Sequence, residues 1–562
     1  MHTTYTHATG SGSGSSSWTA CDVEGCLGEV IPRELKCLRH ADVDARNRYL
    51  HGLRPVDCLL LRGVNVDQGL LDTVLHCPAI TDSNTKTVNV PISLAASEIS
   101  ARLEFDGYTF EKHIDFSGAI LLDHIRFTNC RFDRGFHSRF AFFQKGALYF
   151  VECSFSDLVD LSYTAAKNTS VGYNRCKFTK PLNADGIEAT LHLDHCACES
   201  DLTIRGANAG GLILTACSIE RELDLQGTHF GGFSAPYLKA AAHQLGPFCV
   251  KGSCSFAHAQ FSARIQMEVE ADELDLSGLQ LREGGHILVD RARVRLNHLS
   301  TGRSLHVVGR SAAPVQAAIL GLQGADAGAM TFAHVDMSRC MFYGAHDLGK
   351  VTIEPTVRFA RTPRPYSSRR CIADEFAWRQ NADSARSSRW VLPGTRRAAD
   401  PKSGNVASHT VELPELEASQ VASVYHDLRR SFETKSDEPG AADFYYGEME
   451  MRRHSKQIPF AEWVIVWAYW LVSGYGLRAS RAFAWLVLLI VLGGIGLANW
   501  GFVSGPTDYL TGLLYSIRAP LPGVLRDIKL TADGEMIETA VRLLGPILFA
   551  LALLAVRGRV KR

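Results

Sequence analysis

The chain has 562 residues, with Lys+Arg and Asp+Glu both at 59 and no formal net charge. That balance excludes the basic surplus of a general nucleic-acid binder and the acidic surplus of a DNA mimic. Forty-eight glycines and 27 phenylalanines favour a turn-rich β protein over a helical one, and an odd count of fifteen cysteines argues against a disulfide framework.

Met1 to Ser17 is polar, rich in Gly, Ser and Thr, and without an apolar secretory core, so residues 1–17 read as a disordered tail. Reduced cysteines in a cytosolic compartment are the matching expectation. Residues 18–58 then read as a small cap. Cys21, Cys26, Cys37 and His40 follow C-x4-C-x10-C-x2-H, four ligands in two closely spaced pairs that can close a tetrahedral zinc site. With four protein ligands and no open position, such a zinc is structural, and it would supply the folding energy of a segment too short for its own core. The alternative is four unrelated residues beside the tail.

From 59 to 348 short strand-like pieces repeat. Ile125-Arg-Phe-Thr-Asn-Cys130-Arg-Phe132, Leu148 to Phe155, Val171 to Phe178, Leu191 to Cys198 and Leu212 to Ile219 share apolar-x-apolar-x-x-Cys-x-apolar. Cys130, Cys153, Cys176, Cys196 and Cys217 are spaced 23, 23, 20 and 21 apart, a period suited to the coils of a β-helix. Between these lines run Leu202-Thr-Ile-Arg-Gly206, Leu223-Asp-Leu-Gln-Gly227, Leu274-Asp-Leu-Ser-Gly278 and Ile114-Asp-Phe-Ser-Gly118. The pattern resembles the pentapeptide-repeat family in a degenerate form, which implies a right-handed, quadrilateral-type β-helix. The cysteine column is expected to be buried as small hydrophobes rather than to form a metal or redox array, and His113, His192 and His195 are expected at the surface. The zinc-like opening, Leu59-Leu-Leu-Arg-Gly-Val64 and the ending Leu544 to Arg562 resemble actinobacterial pentapeptide-repeat membrane proteins; the resemblance implies a shared, bacterial architecture and no chemistry.

Residues 349–413 read as an irregular linker, rich in Arg, Pro and Ser after 355. In 414–456, Val421, Val424, Tyr425, Leu428 and Phe432 fall at helical spacing, Ser436 to Gly440 turns the chain, and Ala441 to His454 forms a second helix. The pair resembles a tetratricopeptide-type hairpin, placed to couple the solenoid to the membrane. The basic run Arg452 to Lys456 suits an anionic inner leaflet.

In 457–478, Ala461 to Gly474 carries Trp463, Trp467, Tyr469 and Trp470 and is too short to cross a bilayer without thinning or strong tilt, so it reads as an interfacial helix. In 479–562, two apolar stretches, 482–503 and 539–556, are long enough to span about 30 Å of hydrocarbon; buried core helices are the alternative. Arginines before the first stretch and basic residues after the second, against an acidic loop, place both chain ends in the cytoplasm of a multi-pass inner (plasma) membrane protein. The loop 504–538 opens with Pro506 to Ile517, a short helix of re-entrant type. The order of parts resembles two-helix cation-channel pores, although Arg518-Ala-Pro-Leu-Pro-Gly523 replaces a potassium filter. Gly474-Tyr475-Gly476 lies before the first span and cannot be that filter.

The chain lacks G-x-S-x-G, a phosphate-binding glycine loop, H-E-x-x-H and a dinucleotide fingerprint. Asp374-Glu375 and Glu448/Glu450 read as carboxylates on solvated helix faces, so an enzyme is not expected. Two functions remain. One is a homo-oligomeric membrane pore with a cytoplasmic sensing or gating solenoid, lined at its mouth by Tyr509, Leu513, Ser516, Arg518 and Pro520. The other is a membrane-anchored solenoid scaffold for a protein partner. Neither requires nucleic acid.

Overall fold

In the computed structural model the described residues are 4–5, 18–166, 169–310, 317–363, 368–382, 390, 415–503, 506–520 and 529–560. Most of the expected tail, the linker from 383 to 413 apart from 390, and loop positions 504–505 and 521–528 lie outside them. The chain divides into two units, Met1–His346 with Thr352–Arg358, and Asp347–Val351 with Phe359–Arg562.

The first unit is a parallel β-solenoid of about 12 turns. Two short helices precede the regular coils: α1, Val43–His51, and α2, Gln68–Leu75. Asp42 and Asp67 cap them by accepting from the amides of Ala45 and Leu70. Helix α2 falls within the stretch expected to be strands alone; it buries Leu70, Leu71 and Val74 near the start of the stack, where a solenoid needs a cover.

Each early coil contributes four short strands, for example Ile114–Asp115, Ile120–Leu121, Ile125–Thr128 and Arg131–Phe132. Each strand pairs in parallel, in register, with its counterparts one coil away. That register puts like residues above one another at the inter-strand spacing of about 4.8 Å. Phe105, Phe127, Phe150 and Tyr173 therefore form one stacked column, with centroids 4.7, 5.1 and 4.7 Å apart. Phe110, Phe132, Phe155 and Phe178 form a second, at 5.0, 4.7 and 4.9 Å.

The corners explain the remaining repeat letters. Asn129, Glu152, Arg175, His195 and Ala216, each just before a cysteine of the column, are left-handed, with φ of 52–55°. The following cysteine is buried, and its thiol donates to the carbonyl two residues back, as Cys130 does to Thr128 at 3.3 Å and Cys153 to Val151 at 3.4 Å. Cysteine is small enough for the inside of the corner and supplies a weak donor there. At the other repeated corner an Asp accepts from the amide two residues on, as Asp115 does from Ser117 and Asp275 from Ser277. The turn then closes on a left-handed Gly118 or Gly278.

The second unit is helical: α3, Ala373–Ala382; α4, Ala418–Thr434; α5, Glu438–His454; α6, Phe460–Ser473; α7, Ala479–Gly496; α8, Tyr509–Arg518; and α9, Ala532–Val560. Helices α4 and α5 form the expected hairpin. Asp437 caps α5, Phe432 stacks on Phe444 at 4.9 Å, and Gly447 leaves room for the Tyr425 ring. Helix α3 lies within the segment read as irregular, and burial overturns the solvated-face reading: Asp374 and Glu375 on α3 are fully buried, and Glu448 on α5 is nearly so. Helix α7 runs on as one π-type turn, Leu497–Gly501. Helix α9 begins at Ala532 rather than at 539. Thr531 caps it through the Gly534 amide, and Asp533 and Glu535 suit a helix start electrostatically although they interrupt the hydropathy.

Candidate functional sites

The cap brings its four expected ligands together. An antiparallel bridge joins Ala20 to Glu29 and another joins Val30 to Cys37, and the Cys21 amide donates to Gly28. A tight turn, with the amides of His40 and Ala41 both on the Cys37 carbonyl, then swings His40 back over the thiols. Cys21 Sγ and Cys37 Sγ each lie 3.5 Å from His40 Nδ1, Cys26 Sγ lies 3.7 Å from Cys37 Sγ, and all four ligand atoms fall within 4.8 Å of one another. A zinc tetrahedron with Zn–S of about 2.3 Å and Zn–N of about 2.0–2.1 Å has S···S edges of about 3.8 Å and S···N edges of about 3.6 Å. These three contacts match such edges, and the Gly28 amide points at Cys26 Sγ from 3.4 Å. A Cβ on Gly28 would lie 2.9 Å from Cys37 Cβ, so this position tolerates no side chain. Among the described residues these four can hold a metal ion.

In the second unit, two helical stretches, Ala479–Gly501 and Ala532–Val556, are long and apolar enough to cross a membrane, with 33% and 22% of their most apolar windows buried. Glycines set how the helices meet. A Cβ on Gly512 would lie 2.3 Å from the Gly494 carbonyl, and one on Gly494 would lie 2.8 Å from Leu513 Cα, so α8 rests backbone to backbone on α7. Pro520, just past the end of α8, packs on Gly545, near the middle of the second stretch. Of the expected mouth residues, Ser516 is buried against Gly493, and half-buried Leu513 lies with its backbone against Gly494, both within one chain. Tyr509 and Arg518 are exposed and Pro520 is half-buried, so these five do not share one face. The outward face of α8 is Tyr509, Leu510, Leu514 and Ile517. Glu538, within the second stretch, is buried and accepts from Tyr515 Oη at 3.3 Å.

The helical hairpin holds a cluster of charges that sequence reading missed. Glu375 accepts from Arg369 and from Tyr425 Oη, both at 2.6 Å, and from Arg379 at 2.9 Å. Burial pushes the Glu375 carboxyl up, but Arg369 and Arg379 outweigh it and bring it to about 2. Glu450 accepts from Arg453 at 2.9 Å and from Tyr475 Oη at 3.4 Å. Tyr475 is buried between Tyr446 and Tyr469 with φ of 61°, so the Gly-Tyr-Gly segment is a latch that joins the α6–α7 turn to the hairpin. Its only advance signal was a tyrosine between two glycines shortly before the first apolar stretch.

On the solenoid, a recess of about 250 Å³ is lined by His229, Cys249, Glu268, Glu270, Asp290 and Arg310 among others. Its carboxylates are engaged: Glu268 with Arg310, Glu270 with Arg291, and Asp290 with Arg310 at 3.4 Å. The expected surface histidines fit this pattern in part: His195 is exposed and bonded to Asp194, while His192 is half-buried. Comparisons with protein-family models, with curated proteins and with solved structures find no match.

Proposed function

We propose that this chain is an oligomeric membrane pore, with α7 and α9 as its spans, α8 as a re-entrant helix between them, and the solenoid and helical hairpin as a cytoplasmic sensing or gating part. The observation that carries this reading is the seat of α8. It packs glycine to glycine along α7, and the chain after it reaches Gly545, near the middle of the second apolar stretch. A plain two-helix anchor has no use for a helix inserted to that depth, whereas a pore needs one to bring loop residues to its axis. Two apolar helices with outward Phe483, Leu492, Leu543, Ile547, Phe549 and Leu554 support insertion in lipid over burial in a soluble core. The flanking charges support cytoplasmic chain ends.

The four-stranded coils and the left-handed Asp-x-Ser-Gly corners support assignment to the pentapeptide-repeat, quadrilateral β-helix type. The match of the Cys21, Cys26, Cys37 and His40 edges to a zinc tetrahedron supports a structural zinc in the cap, which would bring no chemistry beyond holding these two turns together.

Planar-bilayer recording of the purified full-length chain beside Arg518→Glu tests the pore. Discrete current steps whose ion preference shifts with the variant establish it. A silent bilayer from folded protein, repeated without residues 1–455, favours the second reading, a membrane-anchored scaffold. The exposed Phe140–Tyr163 stack at 5.0 Å, next to exposed Ile120 and Phe142, supports that reading as a docking surface on the solenoid.

A further inference from the structure

Arginines packed between the helices of the second unit are matched with carboxylates. Arg369 and Arg379 face Glu375, Arg429 faces Glu448, Arg453 faces Glu450, and the half-buried Arg370 faces Asp437. Arg478 and Arg481 break the pattern. Both are partly buried, and neither has a carboxylate partner among the described residues. The Arg478 guanidinium lies over the Tyr446 ring at 4.9 Å, and Arg481 donates to the Trp470 carbonyl at 3.1 Å and lies over the same indole at 5.0 Å. Arg453 covers Trp470 at 4.2 Å, which adds a third guanidinium to the group.

The backbone of the turn sets the place of Arg478. Gly474, Tyr475 and Gly476 are three consecutive left-handed residues, and the resulting reversal lays the Arg478 side chain across Gly474, within 3.0–3.1 Å of where a Cβ would stand. Desolvation and the neighbouring Arg481 both work against the charged form of Arg478. Tyr446 and Glu450 offset part of that cost, but Glu450 is already held by Arg453, so the three guanidiniums outnumber the carboxylate beside them and can take a further counter-charge. The pair also sits where α7 begins without a side-chain cap, where the helix field favours an anion.

We propose that Arg478, over Tyr446, and Arg481 and Arg453, over Trp470, form a binding site for the phosphate of an anionic phospholipid headgroup. Guanidinium forks match phosphate oxygens two by two, and the interfacial indoles of α6 lie alongside for the glycerol and upper acyl chain. The site rests on the membrane reading above. It deepens that reading by making the turn that latches α6–α7 to the helical hairpin responsive to lipid composition. Each arginine removed is expected to weaken headgroup binding about fivefold.

The test uses full-length protein in nanodiscs of phosphatidylcholine with increasing phosphatidylglycerol. Excess quenching of tryptophan fluorescence by brominated phosphatidylglycerol over brominated phosphatidylcholine is expected in the wild type. Arg478→Gln/Arg481→Gln should lose that excess, whereas Arg303→Gln, which removes an exposed solenoid arginine already paired with Glu283, should keep it. If millimolar inorganic phosphate protects the wild type in pure phosphatidylcholine against thermal unfolding as well as the anionic lipid does, the ligand is a free anion and the lipid assignment falls. Equal quenching by both lipids in the wild type overturns the proposal without any variant. A chain that fails to enter nanodiscs overturns the membrane reading itself; one that enters and shows no lipid preference overturns this site alone.

Discussion

Replacing Glu375 by Gln removes one charge from the most deeply buried ion cluster of the second unit. Glu375 is fully buried and holds Arg369, Arg379 and the Tyr425 hydroxyl at once. Its carboxyl sits at about 2 against an ordinary 4.5, a difference worth about 3 kcal/mol in the folded state. Breaking a buried pair from one side independently costs about 3–5 kcal/mol. For a unit of this size that corresponds to a fall of about 6–12 °C in melting temperature. Tryptophan fluorescence is the suitable probe, since of eight tryptophans only Trp18 lies in the solenoid unit. The pH dependence follows from the sign of the shift. A depressed carboxylate contributes stability that is complete above the unfolded pKa near 4.5 and is lost as pH falls towards 2. The difference between wild type and Glu375→Gln should therefore be flat from pH 7 to about 5 and roughly halved near pH 3. A variant that melts within about 2 °C of wild type, or a difference that grows on acidification, refutes the reasoning.

Purified protein should carry about one zinc per chain, and Cys37→Ser should lose it and loosen residues 18–58; elemental analysis of the variant that still finds a full equivalent would sink the assignment. Phe150→Ala removes a ring stacked on Phe127 and Tyr173 and should cost the solenoid about 3–5 kcal/mol in denaturant unfolding followed by far-UV circular dichroism. A loss below about 1 kcal/mol would mean the column does not carry the core. Gly512→Val puts a branched side chain where even a Cβ meets the Gly494 carbonyl at 2.3 Å, so α8 should lift from α7. Faster amide exchange across Tyr509–Arg518 and loss of any current are expected, and unchanged exchange counts against the packing described.

The repeat grammar was legible in advance because a solenoid is nearly one-dimensional. A residue's environment depends on its place in the coil and on like residues one coil away, so periodicity in the chain becomes a column in space. Hence the apolar-x-apolar-x-x-Cys line foretold the buried column of Cys130 to Cys217, and local spacing alone foretold that Cys21, Cys26, Cys37 and His40 could meet. The two apolar stretches were legible because length and hydropathy are sums over contiguous residues. What needed the tertiary structure was whatever depends on partners far along the chain. Glu375 looks like any solvated helical carboxylate until Tyr425, fifty positions away, closes over it. That Ser516 lies against Gly493, and the Leu513 backbone against Gly494, could not be read from the sequence of α8 alone. Tyr475, excluded as a filter by its place before the first apolar stretch, had no role until Glu450 and Tyr446 showed it to be the latch. Short-range pattern determined the repeat, the candidate metal ligands and the apolar helices, because those properties are set within about one turn or one coil of sequence. Which charges are buried, and which face of α8 is free, was decided by long-range packing, because burial belongs to the pair and not to the residue.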